Sequence, residues 1–158
     1  VREDALVRYV EAPQEYTGGG RSLFLAGGIT GCPDWQREAV MMLSDVAGLV
    51  VLNPRRTPFP IDDPGAAAEQ IGWEFRHLHR AEVLLFWFAA ARSDQPIVWY
   101  ELGVHAATSR VPVVVGVDPG YHRCQDVTLQ LALARPDLPV HETLAATVGA
   151  ARVLLLAG

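Results

Sequence analysis

The sequence predicts an α/β fold, a three-layer sandwich around a mostly parallel sheet of four or five strands. Three observations carry this expectation. The short apolar runs Ser22 to Ala26, Leu49 to Leu52, Val83 to Phe88 and Val111 to Val117 do not alternate polar with apolar, as expected of strands covered on both faces. Longer segments of helical character lie between them, in the βαβ order that builds a parallel sheet. Gly- and Pro-rich joints separate the two kinds of segment.

Residues 1–21 read as an N-terminal extension, in which Ala5 to Val10 can form an edge strand and Thr17-Gly-Gly-Gly20 is a flexible turn. Residues 22–158 read as one domain. Its first strand, Ser22 to Ala26, enters the tight loop Gly27-Gly-Ile-Thr-Gly-Cys-Pro33, and Asp34 can cap a helix reaching about Asp45. Leu49 to Leu52 is the next strand, followed by a loop from Asn53 to Gly65 with Pro at 54, 58, 60 and 64. A helix over Ala66 to Arg80 leads to the strand Val83 to Phe88. A third helix spans Ile97 to Ser109, with Pro96 beside its first turn, where a missing N–H costs nothing. The strand Val111 to Val117 follows. A weaker helix is expected after Asp126, a short fifth strand at Pro139-Val140, and a closing helix from Glu142.

Composition narrows the function. The chain has 158 residues, half of them hydrophobic, enough for one domain with a core. The net charge of −5 is scattered, and no basic patch with interleaved aromatics occurs, so nucleic acid is not expected as a partner. The apolar runs are too short to span a bilayer, and the charged opening Val1-Arg-Glu-Asp4 does not read as a signal peptide. Cys32 and Cys124 make neither a CxxC nor a zinc spacing; two free thiols and a cytoplasmic location are expected. All 13 Lys and Arg positions are Arg, which excludes Schiff-base chemistry and a Walker lysine within the chain.

The strongest candidate for chemistry is Glu101, in Pro96-Ile-Val-Trp-Tyr-Glu-Leu-Gly103. It falls beyond the carboxyl end of a strand, where ligands bind in open α/β sheets. Glu74, in Ile71-Gly-Trp-Glu-Phe-Arg-His-Leu78, is its candidate partner. Two carboxyls in one pocket can divide labour between an ionised nucleophile and a protonated acid. The plainer reading is two solvated helix glutamates, one paired with Arg76 or Arg80. The loop Gly27, Gly28, Ile29 and Thr30 can receive a phosphate or a sugar oxygen on its backbone N–H groups; equally, it is a turn that needs glycine. It is not GxGxxG and no acid ends the second strand, so no nicotinamide cofactor is expected. Arg55 and Arg56 can clamp an anion or solubilise a loop, and Trp73 can stack on a base. His77 and His79 point to different helix faces and His105 lacks a third ligand, so no metal is expected.

Leu23-Phe-Leu-Ala-Gly-Gly-Ile-Thr-Gly31, Leu49-Val-Val-Leu-Asn-Pro54, Trp73-Glu74 and Pro96-Ile-Val-Trp-Tyr-Glu-Leu-Gly103 occur in that order over residues 22–117, about three-fifths of the chain. Together they resemble the nucleoside 2-deoxyribosyltransferase family and its nucleotide N-glycosidase relatives. The resemblance implies a Rossmann-like, flavodoxin-like sheet, no cofactor, and a carboxylate nucleophile matched by Glu101. It implies that Glu74 stands for a second acid, usually Asp, that assists the leaving base. A further acid falls at Asp94 or Gln95. Phe24 stands where family transferases have a nucleophile-orienting tyrosine. Phe24, Gly27, Gly28, Ile29, Thr30, Arg55, Trp73, His77, Asp94 and Gln95 are the substrate-binding candidates. Thr30, Thr108 and Ser109 match hydroxyls that hold a phosphate in the nucleotide hydrolases. The resemblance also implies a homodimer or larger homo-oligomer acting on a nucleoside or nucleotide. An inactive nucleotide-binding domain and a phosphate binder using only the glycine loop are the alternatives.

Overall fold

The computed structural model describes residues 7–108 and 110–158; Ala5 and Leu6 of the candidate edge strand, and Ser109, lie outside them. In chain order the elements are β1 (Arg8–Glu11), β2 (Ser22–Gly27), α1 (Trp35–Met42), β3 (Val50–Asn53), α2 (Ala66–Leu78), β4 (Val83–Phe88), α3 (Pro96–Thr108), β5 (Val113–Val117), α4 (Cys124–Ala134), β6 (Val140–His141) and α5 (Leu144–Ala157). All strand pairs are parallel, in the order β1-β3-β2-β4-β5-β6. The sheet thus has six strands rather than four or five. The extra one is β1, which pairs with β3 from Arg8↔Val50 to Glu11↔Asn53. Behind it Val10, Ala12 and Tyr16 enter the core.

The non-alternating runs produce two cores. On β2, Phe24 and Ala26 face one layer while Leu23 and Leu25 face the other; on β4, Leu84, Phe86 and Phe88 oppose Val83, Leu85 and Trp87. The first layer holds α2, α3 and α4 through Trp73, Leu78, Val98, Leu102, Ala106, Val127 and Leu131. The second holds α1 and α5 through Trp35, Ala39, Leu43, Val148, Ala151 and Leu155. Caps fix the helix starts: the Asp34 carboxylate accepts from the Arg37 N–H at 3.2 Å, and the Thr143 hydroxyl accepts from the Ala146 N–H at 3.1 Å. Among the described residues no helix is long and apolar enough to cross a membrane.

The chain leaves β2 toward β3 on one side and then returns to place β4 on the other. Connections diverging from adjacent parallel strands open a crevice at the strands' carboxyl ends. The glycine loop after β2 and the loop from Ala89 to Gln95 after β4 form its lips. Packing on the opposite face is close. Gly116 on β5 lies beside Trp87, and a Cβ there would overlap the Thr147 hydroxyl of α5 and the Trp87 ring. Gly116→Ala is therefore expected to lower stability by about 1–3 kcal/mol through overpacking. A urea melt showing an unchanged midpoint would mean that α5 tolerates displacement from the sheet.

Candidate active site

A cavity of about 220 Å³ occupies the crevice. Phe24 and the loop from Gly27 to Thr30 line one side, Gln95 and the first turn of α3 another, and the carboxyl groups of Glu74 and Glu101 project into it. The helical periods explain the convergence. Val98, Leu102, His105 and Ala106 bury one stripe of α3, and Glu101 stands at its margin, sharing the cavity with Ile97 and Val98 one turn earlier. On α2, Trp73 and His77 are the buried stripe, and Glu74 follows Trp73 around the helix toward the cavity.

Among the described residues no Arg lines the cavity, and the charge of Glu74 acts on Glu101 there. Burial, and then the charge of Glu74, push Glu101 up to about 8. Burial likewise raises Glu74, against the lowering effect of its hydrogen bond from Gln70 Nε2 at 2.8 Å. Ionising the second carboxyl costs more than ionising the first, so the pair keeps a proton up to about pH 8.

Several sequence candidates lie elsewhere. Trp73 and His77 are buried in the core and are not among the residues lining the cavity. Their rings stack at 4.0 Å, Trp73 Nε1 donates to the Gln14 carbonyl at 2.6 Å, and His77 Nε2 accepts from the Tyr16 N–H at 3.0 Å. That acceptor role places the His77 proton on Nδ1, 2.7 Å from the Trp73 carbonyl. Arg55 is also absent from the lining. Its Nε donates to Gln36 at 3.0 Å, Nη2 donates to the Pro33 carbonyl at 2.9 Å, and Asp34 lies 3.4 Å away. It pins the far side of the glycine loop instead of facing an anion. Arg56 pairs with Glu69 at 2.6 Å. Thr30 lines the cavity, whereas Thr108 bonds the His105 carbonyl at the far end of α3.

The ambiguity between Asp94 and Gln95 resolves in space. Asp94 is exposed and takes hydrogen bonds from His122 at 2.7 Å and Arg123 at 3.0 Å, away from the carboxyl pair; Gln95 lines the cavity. Sequence reasoning missed Ala26, Pro54, Ser93, Pro96, Ile97 and Val98 as lining residues. Ile97 and Val98, four and three residues before Glu101, were legible from helical spacing. Ser93 carried no comparable signal.

A family model described as nucleoside 2-deoxyribosyltransferase like matches residues 20–121. The chain belongs to that family. The match runs from just before β2 to Tyr121, and includes both lips of the crevice and both carboxyl residues. No curated protein matches the chain. In this family member, the buried acid pair has a consequence for folding. An acid raised above its unfolded value of ~4.3 stabilises the fold fully below that pH and loses this contribution as pH rises through the folded value, about 8 for Glu101. Glu101→Gln removes the loss. The melting temperature of E101Q relative to native protein is expected to rise between pH 5 and pH 9. An offset independent of pH would show that Glu101 titrates as an exposed glutamate.

Proposed function

We propose that this cavity cleaves the N-glycosidic bond of a nucleoside or deoxynucleoside and passes the sugar to another base or to water. The observation that carries this reading is the meeting of Glu74 and Glu101 in one cavity at the point where the strand order reverses. The family match supports the same class of reaction. A Glu101 carboxylate oxygen bonds to C1′ as the C1′–N bond breaks, and the bonding pair goes to the base nitrogen. That nitrogen takes the proton held on Glu74, so the base leaves neutral. The acceptor base or water then bonds to C1′ as its proton passes to the Glu74 carboxylate, and the C1′–O bond breaks with its pair returning to Glu101 as carboxylate. In the resting pair the proton sits on Glu101, raised further by the charge of Glu74, so the reactive arrangement requires that proton to pass to Glu74 and leave the charge on Glu101.

Two features favour a nucleoside over a 5′-nucleotide. Arg55 is engaged with loop carbonyls and Asp34, and the Gly28 N–H, which a phosphate could have used, donates to Gln95 at 3.1 Å. A second negative group would enter a cavity that already carries two carboxyls. We also propose a cytoplasmic homodimer or larger assembly. Phe75 on α2 and Tyr100 on α3 are 64% and 72% exposed, and Ile71, Ile97 and Val104 extend this apolar face to the cavity rim. A second copy laid on that face would cover apolar surface and keep bulk water from the ester.

The activity test is a screen of nucleosides and their 5′-monophosphates, with and without an acceptor base, read for free base and exchanged nucleoside. Nucleosides are expected to react at least as well as the phosphates, with E101Q reduced by ~10²-fold or more. For a base that leaves only when protonated, kcat/KM is expected to fall above about pH 8, where the pair loses its last proton. A rate that keeps climbing through pH 9, or an E101Q protein as fast as the native one, would falsify these roles. Assembly is checked separately. Light scattering at micromolar concentration is expected to exceed the 17.2 kDa of one chain, and Tyr100→Glu to bring the value down toward it. A native protein that scatters as 17.2 kDa rules the assembly out.

A further inference from the structure

Gln95 has a backbone φ of 51°, within the left-handed region, and is the only non-glycine described residue with positive φ. A long side chain seldom adopts that conformation, and where it persists the surroundings have to enforce it. Here they do so through the side-chain amide, which is buried at 4% exposure. Oε1 accepts from the Gly28 N–H at 3.1 Å, and Nε2 donates to the Ala89 carbonyl at 2.9 Å. The main chain is engaged as well: the Gln95 N–H donates to the Ser93 hydroxyl at 3.2 Å, and the Gln95 carbonyl accepts from the Trp99 N–H in the first turn of α3. One residue thus joins the glycine loop, the end of β4 and the start of the helix that carries Glu101.

The other side of the contact is built to match. A Cβ at Gly28 would overlap the Gln95 amide and Cys32 Sγ, so only glycine lets the loop approach this closely. The Gly28 carbonyl in turn accepts from Trp35 Nε1 at 3.0 Å, which fixes the peptide plane whose neighbour faces Gln95.

We propose that Gln95 is a positioning residue: its amide sets the separation between the glycine loop and α3, and so places Glu101 across the cavity from the loop. Its amide holds Gly28 through Oε1 and Ala89 through Nε2, so its effect on the reaction runs through the elements it joins. An amide suits the task because it accepts and donates at once. An ionised carboxylate could accept from Gly28 but would turn a second acceptor toward the Ala89 carbonyl. It would also add charge beside Glu74 from α2 and Glu101 from α3, with Cys32 on the loop; Asp94, next in the chain, is held by His122 and Arg123. A protonated carboxyl reproduces both bonds.

This proposal rests on the activity proposed above, but part of its test does not. Gln95→Gly keeps the backbone angle and deletes the amide; Gln95→Glu keeps the shape and makes the donor depend on pH. In Q95G the Gly28 amide is expected to exchange with solvent at least tenfold faster than in native protein, whether or not a substrate is known. Unchanged exchange overturns the clamp. With a substrate in hand, Q95G is expected to lose kcat by about 10- to 100-fold, with a smaller change in KM, as a misplaced catalytic group predicts. Q95E is expected to approach native kcat near pH 5 and to fall to the Q95G level by pH 8. A Q95E protein that parallels the native profile throughout, or a Q95G protein with native kcat, overturns the proposal. If native protein turns over nothing, the activity reading fails while the exchange measurement still decides the clamp.

Discussion

Two carboxyl groups share a small cavity with no arginine among its described lining residues, and the fold must hold them there against both burial and mutual repulsion. Neither helix gains stability from the acid it presents. α3 is kept in place by the buried stripe Val98, Leu102 and Ala106, and α2 by Trp73 and Leu78, all in the layer that also contains Phe24 and Phe86 of the central strands. Fully burying an aliphatic or aromatic side chain contributes about 1.5–3 kcal/mol. Several such residues per helix outweigh a strained acid. The apolar strands matter for function in this sense: they make an unfavourable electrostatic arrangement persist.

The glycine loop takes a different part from the one its composition suggests. Its Gly28 peptide is occupied on both sides, by Gln95 at the N–H and by Trp35 and Gln36 at the carbonyl, while Arg55 holds the carbonyls that follow. These bonds fix the Gly28 end of the loop against α1 and the Gln95 side chain. Gly27 and Gly28 stand where neighbouring groups come too close for a Cβ, and Gly31 takes a positive φ.

What was legible in the sequence follows from this. The strands of the central sheet, and the helices between them, are written in apolar runs that only two-sided burial explains, and Glu101 stood out because it follows such a run at a helix head. β1 was harder to place: Arg8-Tyr-Val-Glu has one buried residue in four and takes its register from β3, a long-range pairing that composition does not encode. Trp73 and His77 fall outside the cavity lining because adjacent helix positions differ by about 100° in direction. Placing Glu74 at the cavity therefore required Trp73 to turn toward the core, a geometric constraint available from the period alone. Arg55 looked like an anion clamp because its neighbours Asp34 and Gln36 are distant in sequence. Asp94 and Gln95 could be separated only by the left-handed turn at Gln95, which aims one side chain outward and the next inward.

The pairing of Trp73 and His77 with residues 14–16 has a consequence for how the chain tolerates shortening. The segment ahead of β2 fills donor and acceptor positions inside the layer, with the Gln14 carbonyl on Trp73 and the Tyr16 amide on His77. Removing it would take away the partners of an indole N–H and an imidazole nitrogen and uncover the apolar groups beside them, on the helix that also presents Glu74. A boundary drawn at the first strand of the matched family region would therefore separate the helix that carries Glu74 from partners that share its packed layer.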